Sequence, residues 1–431
     1  MKFLMKSINL LLCFSLTWSL FGQVDKTKTL NQDYSVVHDQ RLYISHRGGE
    51  VKLIPSTDGK IHILGTIRVK ASDESNAKIA LDNMDIRASQ SGNQINIESD
   101  RNIKNWITVL NKSTITFESG DKAKDIRDID MTLEVRIPDN IALIEVKNKY
   151  DPITIDQAVK GQLRIEQYDS EVHVTSCTGP FTLNMKYGKA SLGALSDVTM
   201  DIYDSDMTYE SARNLSGTLK YSKMTGGDLN QVTLETYDSE FRFGAVPGKS
   251  SITDKYSDYE MGNIGELVFD GYECNLTLGN AKSISGKSKY GEFHFKSVGE
   301  IELESSYEDE FSATRVGRLK VNSKYGEYKL DALGNELIFP ESYEDEITIG
   351  RIEQLTRLEL NAKYLELTSN QTGGDFSVTV DAKYSEVELP SRTTVRIRDK
   401  ENSNLKMEAM VGSNGSGKAV INCYECEIKL N

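Results

Sequence analysis

The chain has 431 residues, a net charge of −14 and 38% hydrophobic residues. This length exceeds that of one ordinary compact domain, although a repeat protein has no such ceiling because its core grows along one axis. The acidic balance argues against binding to nucleic acid or to an anionic membrane surface.

The first 22 residues are typical of a secretory signal peptide. Lys2 and Lys6 precede an apolar stretch that extends from Ile8 to Leu20, and cleavage is expected after Gly22. A transmembrane anchor is the competing interpretation, but the stretch is short and interrupted by polar residues. No later segment is apolar enough to span a bilayer. We therefore expect an exported protein that is periplasmic, associated with the outer membrane, or secreted.

Residues 23–140 are predicted to form a β-rich N-terminal cap, or degenerate coils, because the end of a repeat array exposes core and needs a cover. Several short runs in this segment alternate apolar and polar residues, as half-buried strands do. Ser72 and Asp73, followed by apolar residues from Ala77 to Met84, predict one short capped helix.

Residues 141–431 contain a tyrosine about every eighteen residues. The repeat tyrosines are Tyr150, Tyr168, Tyr187, Tyr203, Tyr221, Tyr237, Tyr256, Tyr272, Tyr290, Tyr307, Tyr325, Tyr343, Tyr364, Tyr384 and Tyr424. A fixed short period indicates a solenoid, and the period-2 apolar runs on both sides of each tyrosine indicate strands. The predicted fold is all-β, a parallel β-solenoid (β-helix) with coils of about 17–20 residues.

Two motifs alternate along this array. One is Lys-Tyr followed by Gly or Ser, as at Lys186-Tyr187, and the other is Tyr followed by an acid, as at Tyr168-Asp169. Aligning them on the next apolar residue gives one column that alternates Tyr and Lys. Because stacked strands lie about 4.8 Å apart, we expect each Lys to contact two tyrosine rings through cation–π interactions.

A third column is acidic and unbroken from Glu292 onward. Like charges at strand spacing are unfavourable, so three outcomes are expected as alternatives: solvent and lysines screen them, a basic partner covers them, or divalent cations such as Ca²⁺ bind. The cation ligands predicted here are Glu308, Asp309, Glu310, Glu344, Asp345 and Glu346.

After residue 22 the chain contains four cysteines, Cys177, Cys274, Cys423 and Cys426. Coil spacing separates the others too widely, so only Cys423 and Cys426 are candidates for a disulfide, provided that a corner bends between them. A Cys-x-x-Cys motif also suggests redox chemistry or half a zinc site, whereas the plainer interpretation is one more Tyr-acid-Cys repeat. Residues 398–418 are predicted to form a loop-rich interruption.

The sequence resembles a family of bacterial β-strand-repeat proteins, the putative adhesins, which includes auto-transporter adhesin head-like domains. The resemblance rests on the signal peptide, on Val135-Arg136-Ile137-Pro138, and on the run 146–150 that leads into the repeats. It implies an exported β-helical protein without an assigned active site.

The leading hypothesis is a non-enzymatic, adhesin-like or envelope structural protein that presents a repetitive acidic and tyrosine face to a glycan or protein partner. One alternative is a periplasmic scaffold or stress-response component without a ligand. The other is a polysaccharide-active β-helix enzyme, which would need acids and bases gathered in one groove. No catalytic set stands out, because no histidine is predicted beside the serines.

Overall fold

A computed structural model describes residues 23–110 and 112–431. The predicted signal peptide lies outside the described residues. Strands dominate, and the predicted parallel β-solenoid is confirmed. Among the described residues, no helix is long and apolar enough to cross a membrane.

The N-terminal region consists of strands around one helix. Its elements are β1 (Val24–Ser35), β2 (Arg41–Ser45), β3 (Val51–Pro55), β4 (Lys60–Ala71), α1 (Glu74–Asn83), β5 (Asp85–Ser91), β6 (Gln94–Asp100), β7 (Ile103–Val109), β8 (Lys112–Phe117) and β9 (Lys122–Ile137). Strands β2 and β3 pair in parallel with the first two strands of the repeat array, so they form a coil of their own. Strands β1, β4 and β9 pair antiparallel beyond it.

The predicted helix is confirmed as α1. The Asp73 carboxylate accepts a hydrogen bond from the Asn76 amide at 2.9 Å and so caps the helix N-terminus. Ala77 and Ala80 are fully buried and contact the N-terminal sheet. Helix α1 therefore covers apolar surface at this end of the molecule, as a solenoid cap must.

The repeat array is built from pairs of strands joined at a corner. Its strands are β10 (Leu143–Lys149), β11 (Ile153–Val159), β12 (Gln162–Tyr168), β13 (Glu171–Cys177), β14 (Phe181–Lys186), β15 (Lys189–Tyr203), β16 (Asp206–Lys220), β17 (Lys223–Gly226), β18 (Gln231–Tyr237), β19 (Glu240–Phe243), β20 (Val246–Lys255), β21 (Asp258–Met261), β22 (Ile264–Tyr272), β23 (Asn275–Lys289), β24 (Glu292–Tyr307), β25 (Glu310–Lys324), β26 (Glu327–Tyr343), β27 (Glu346–Ile352), β28 (Arg357–Lys363) and β29 (Glu366–Ser369). All pairings within this array are parallel.

The core lies between the two strand faces of the array. Leu163 and Ile165 before a corner, and Val172 and Val174 after it, are all at most 2% exposed. Their period-2 spacing sends the intervening polar residues to solvent. The apolar runs predicted from the sequence are therefore the inward faces of the strands.

The C-terminal strands do not follow chain order. They are β30 (Phe376–Lys383), β31 (Glu386–Glu388), β32 (Thr393–Glu401), β33 (Asn404–Val411), β34 (Gly417–Tyr424) and β35 (Glu427–Leu430). The last coil, β34 and β35, lies between β28–β29 on one side and β30–β31 on the other.

The prediction of a loop-rich interruption at residues 398–418 is wrong for most of that segment. Strands β32 and β33 form an antiparallel hairpin there, and β33 also pairs with β30. Polar and glycine residues suggested a loop, but Leu405, Met407 and Ala409 alternate inward and are buried. The hairpin thus extends the sheet at the C-terminal end.

Candidate functional site

The repeated tyrosines lie at the corner that joins the two strands of each pair. Lys186 is in register with Tyr168 on one side and Tyr203 on the other. Farther along, Lys324 lies between Tyr307 and Tyr343 in the same way. The predicted column of alternating Tyr and Lys is confirmed by this register.

In each coil, the residue that follows the alternating Tyr/Lys position in the chain has a left-handed backbone conformation, with φ between 47° and 70°. Fifteen corner residues share it: Tyr150, Asp169, Tyr187, Asp204, Tyr221, Asp238, Tyr256, Glu273, Tyr290, Glu308, Tyr325, Glu344, Tyr364, Tyr384 and Glu425. This conformation costs a non-glycine residue about 1–2 kcal/mol. The corner amides bond across coils, as from Tyr256 N to Tyr272 O at 3.0 Å. The same backbone strain therefore recurs at the corner of successive coils, and hydrogen bonds between neighbouring corners stabilise it.

The tyrosine rings of successive corners touch one another in an unbroken series. Ring centroids lie 5.4–6.1 Å apart and the ring planes are inclined by 70–86°, an edge-to-face arrangement. We call the fifteen repeat tyrosines, from Tyr150 to Tyr384 and Tyr424, the tyrosine ladder. Each such contact contributes about 0.5–1.5 kcal/mol, enough to offset much of the corner strain.

The expected stacking of lysines between tyrosine rings is wrong. Within the described residues, cation–π contacts are limited to Arg47 over Tyr150, at 6.0 Å, and Lys383 over Tyr384, at 5.1 Å. At the bend, the residue before the corner and the corner residue both project outward. Tyrosine rings from the two neighbouring columns therefore contact each other, and the lysines lie beside the rings and not between them.

The ladder is a partly exposed aromatic surface. Tyrosines of the Lys-Tyr motif are the more exposed, as shown by Tyr221 (45%) and Tyr290 (41%), while Tyr237 and Tyr307 are half-buried. A hydrogen bond to the Glu308 carboxylate raises the pKa of the Tyr307 phenol above its ordinary value. The ladder therefore offers neutral aromatic rings, bordered by lysines and carboxylates.

A buried polar column fixes the turn from inside. Asp309 is 1% exposed and accepts hydrogen bonds from Ser306 Oγ (2.6 Å), Ser288 Oγ (2.9 Å) and the Gly291 amide (2.8 Å). Asp345 repeats this arrangement two coils later. Burial raises the pKa of both carboxyl groups, and the hydrogen bonds oppose that effect.

The predicted acidic column is in register on the strand after the corner. This acidic ladder contains Glu292, Glu310, Glu327, Glu346, Glu366, Glu427 and Glu386, in spatial order. Basic side chains two positions along the strand pair with some members, as His294 does with Glu292 at 2.8 Å and Lys329 with Glu327. The positive charge of Lys329 therefore relieves part of the repulsion.

The six predicted cation ligands do not converge. Asp309 and Asp345 point into the interior, whereas Glu308, Glu310, Glu344 and Glu346 lie outside. Within residues 23–110 and 112–431, no group of three or more His, Cys, Asp or Glu side chains is arranged to hold a metal ion. Calcium binding at these residues stays a prediction that the geometry does not favour.

One hydrogen-bonded row was missed by the sequence reasoning. Ser312 Oγ lies 2.5 Å from His294 Nδ1, and His294 Nε2 lies 2.8 Å from a Glu292 oxygen. The repeat period carries the signal, because His294 and Ser312 face each other from neighbouring coils. The row lies on an exposed sheet surface, where β24 and β26 pair with both edges of β25. The nearby strand amides are thus engaged in sheet hydrogen bonds and do not form an oxyanion hole.

A cleft of about 1230 Å³ lies at the C-terminal end of the ladder. Tyr364 and Tyr384 line it together with Glu386 and Glu427, and the β32–β33 hairpin contributes Arg398. The sequence did not predict it, because the cleft depends on the position of the hairpin. Its volume exceeds that of the recesses beside Tyr187 and Tyr343, which are about 360 and 440 Å³.

No protein-family model matches the chain, and no curated protein matches it either. Solved structures with similarity include a putative adhesin from Bacteroides fragilis, which is 17% identical and matches over 64% of this chain and 97% of that chain, with a TM-score of 0.25. A putative cell adhesion protein from Clostridium sporogenes is 8% identical over 94% of this chain and 100% of that chain, with a TM-score of 0.18.

A putative lipid binding protein from Parabacteroides distasonis is 13% identical over 65% of this chain and 92% of that chain, with a TM-score of 0.20. Two of these three proteins carry adhesion descriptions, the class that the sequence resembles. At such low TM-scores the similarity carries no argument about the activity of this chain, which is inferred below from its own geometry.

Proposed function

We propose that this protein is a non-enzymatic, exported binding protein that presents the tyrosine ladder and the acidic ladder to an extended partner. The observation that carries the proposal is the unbroken series of ring contacts from Tyr150 to Tyr384, with the Lys-Tyr phenols exposed. An aromatic surface of this kind is suited to stacking against sugar rings or apolar side chains, since every ring adds the same contact at a regular interval.

A glycan is the partner class that we favour. The surface combines aromatic rings with hydrogen-bonding lysines, phenols and carboxylates, and a sugar offers both an apolar ring face and hydroxyl groups. The net charge of −14 favours neutral over acidic glycans.

Binding to a glycan array tests this proposal. Replacing Tyr221, Tyr256 and Tyr290 with alanine should weaken binding at least tenfold, because the exposed rings of three successive Lys-Tyr motifs are lost. In a matched variant, Thr225, Thr277 and Thr348 are replaced by alanine. These exposed strand positions lie outside the tyrosine ladder, so this variant should bind normally. Melting curves must show that both variants are folded. Equal binding by the two folded variants would contradict a role for the ladder.

The enzyme alternative has its own test. The Ser312, His294 and Glu292 row is the arrangement most similar to a nucleophile with its base, so it identifies the residues to change. We expect the purified protein to leave polysaccharides and model esters intact. Turnover that disappears in Ser312→Ala would contradict the non-enzymatic proposal.

A purely architectural role is the second candidate, and the corner geometry favours it. Ring contacts in the ladder offset the strain of left-handed corners, which would be sufficient reason for the tyrosines without any ligand. Cell fractionation with protease treatment of intact cells separates the two roles. A protease-protected periplasmic protein that retains no glycan would support the scaffold instead.

A further inference from the structure

The two side chains that flank a corner, three residues apart, touch inside the solenoid. Three corners show this as a hydrogen bond: Ser306–Asp309 at 2.6 Å, Ser342–Asp345 at 2.5 Å and Asp254–Ser257 at 2.6 Å. The contact follows from the left-handed residue between them, which folds the chain back on itself. At these three corners the bend therefore brings the two side chains within hydrogen-bonding distance of each other.

Cys423 and Cys426 occupy this pair of positions in the last coil, on either side of the corner at Glu425 (φ 54°). Both are buried, and they stand at the same two positions as Ser306 and Asp309, so the corner places their side chains next to each other inside the solenoid. A disulfide needs this proximity, with Cα atoms within about 7 Å of each other. Cys177 and Cys274 instead bond to a backbone carbonyl oxygen and a carboxylate oxygen, respectively.

The second cysteine, although buried, lies at the wall of the C-terminal cleft. Cys426 and the neighbouring Ser385 line the open cleft beside the β32–β33 hairpin. The neighbouring Cys423 thiol lowers the pKa of Cys426 below its ordinary value. A lowered pKa favours the thiolate, which is the form that attacks disulfides.

We propose that Cys423 and Cys426 form an intramolecular disulfide across the last corner. The Cys426 thiolate attacks one sulfur of a disulfide donor, such as oxidised glutathione or a disulfide-donating protein, and displaces the other sulfur as a thiolate. Cys423 then loses its proton and attacks the Cys426 sulfur of the mixed disulfide, which releases the second donor thiolate. Two cysteine thiols are oxidised and one donor disulfide is reduced to two thiols.

The disulfide has a structural consequence at the C-terminal end. The coil that it closes is the one inserted between β28–β29 and β30–β31, and it pairs with both of these neighbours. Fixing this corner holds β34 and β35 in place together. It also fixes the floor of the cleft, because Cys426 and Glu427 belong to that floor.

Peptide mapping of the full chain tests the proposal. Trypsin cleavage after Lys418 and Lys429 releases one fragment, residues 419–429, that contains both cysteines. After treatment with oxidised glutathione and alkylation without reductant, we expect this fragment to be unalkylated and lighter by two hydrogen atoms than its reduced form. The fragments with Cys177 and Cys274 should be alkylated once the chain is denatured, which provides an internal control.

Recovery of fragment 419–429 with both cysteines alkylated after that treatment would overturn the proposal. The Cys423→Ser and Cys426→Ser variants should each leave one alkylated thiol in the fragment. A second measurement compares melting with and without reductant. We expect reductant to lower the melting temperature of the oxidised protein and to have no such effect on Cys423→Ser. If neither variant folds, the mapping of the unsubstituted chain still decides the question.

Discussion

Tyr364 packs edge to face against Tyr424, with ring centroids 6.1 Å apart, although Tyr384 is the next repeat tyrosine in the chain. Tyr424 in turn contacts Tyr384 at 5.6 Å. The last coil of the sequence is therefore an interior coil of the solenoid. Strands β30 to β33 lie at the end of the stack. Strands β34 and β35 come later in the chain but lie between them and β28–β29.

This insertion predicts an unusual sensitivity near the C-terminus. Ile421 is fully buried and is in register with Leu360 on one side and Val380 on the other. Ile421→Ala should destabilise the protein by about 2–5 kcal/mol, as expected for a core isoleucine. Ile397→Ala, on the exposed strand β32, should change stability by less than about 0.5 kcal/mol. Thermal unfolding measures both, and equal small effects would indicate that the last coil is not enclosed.

The sequence predicted the coils well because every coil uses the same corner, so the tyrosine period reports the coil length. It did not predict the ring contacts, because the left-handed conformation of Tyr256 or Glu308 cannot be deduced from spacing alone. That conformation also explains the separation of Asp309 from Glu308 and Glu310. A bend at Glu308 followed by strand alternation directs Asp309 inward.

The position of the last coil could not be predicted for a different reason. Strands β30 and β34 both alternate apolar and polar residues with the same period, so either could follow β28. Long-range pairing decides between them, and a single sequence carries no direct signal of it. The interval before Tyr424 was the one hint that the order of coils changes there.

The corner conformation of Tyr256 gives a prediction about strain. Tyr256→Ala loses ring contacts with Tyr237 and Tyr272 and keeps the left-handed backbone, so it should destabilise by about 1–3 kcal/mol. Tyr256→Gly loses the same contacts but relieves the backbone, and it should be about 1 kcal/mol more stable than the alanine variant. Tyr256→Phe should be nearly neutral. Denaturant unfolding gives the order of stability of these variants. A Tyr256→Ala variant more stable than Tyr256→Gly would contradict backbone strain at this corner.

Asp309 is expected to tolerate its isosteric amide poorly. Each carboxylate oxygen accepts a backbone N–H, one from Gly291 and one from Tyr307. In Asp309→Asn the amide nitrogen must face one of these donors, which leaves buried groups unsatisfied at a cost of about 1–3 kcal/mol. The exposed Asp204→Asn change is a matched control at a corner and should have little effect. An Asp309→Asn protein as stable as the original would contradict the assigned hydrogen bonds.

His46 makes the N-terminal region sensitive to acid. It is 3% exposed, its Nε2–H donates to Met131 O, and its Nδ1 accepts from Ser99 Oγ at 2.7 Å. Burial lowers the pKa of His46 to about 4, and the charge of Arg101 adds to this. The unfolded chain binds a proton below about pH 6.5 while the folded chain stays neutral, so stability falls between pH 6.5 and 4.

The loss attributable to His46 over this range is about 3 kcal/mol. His46→Gln keeps a donor and an acceptor but does not titrate, so its stability should depend less on pH in that window. His38→Gln, at an exposed histidine, should behave like the original protein. Urea unfolding at pH 7 and pH 4.5 measures the difference. A His46→Gln variant with an unchanged pH dependence would show that another group is responsible.

The acidic ladder should be a site where removing charge stabilises the fold. Glu310 lies between Glu292 and Glu327 and, among the described residues, has no ion pair within 4.0 Å. Glu310→Gln should therefore raise stability by about 0.2–1 kcal/mol at low ionic strength, and added salt should reduce the gain. Glu235→Gln is the matched control, since Glu235 is exposed between two threonines, Thr218 and Thr253.

Melting with added calcium tests whether the acidic ladder binds a cation. If calcium only screens the charges, it should change the melting temperature no more than other salts do. A specific rise in melting temperature that is lost in Glu310→Gln would instead mean that a cation bridges the ladder, because only a bound ion makes that carboxylate stabilising.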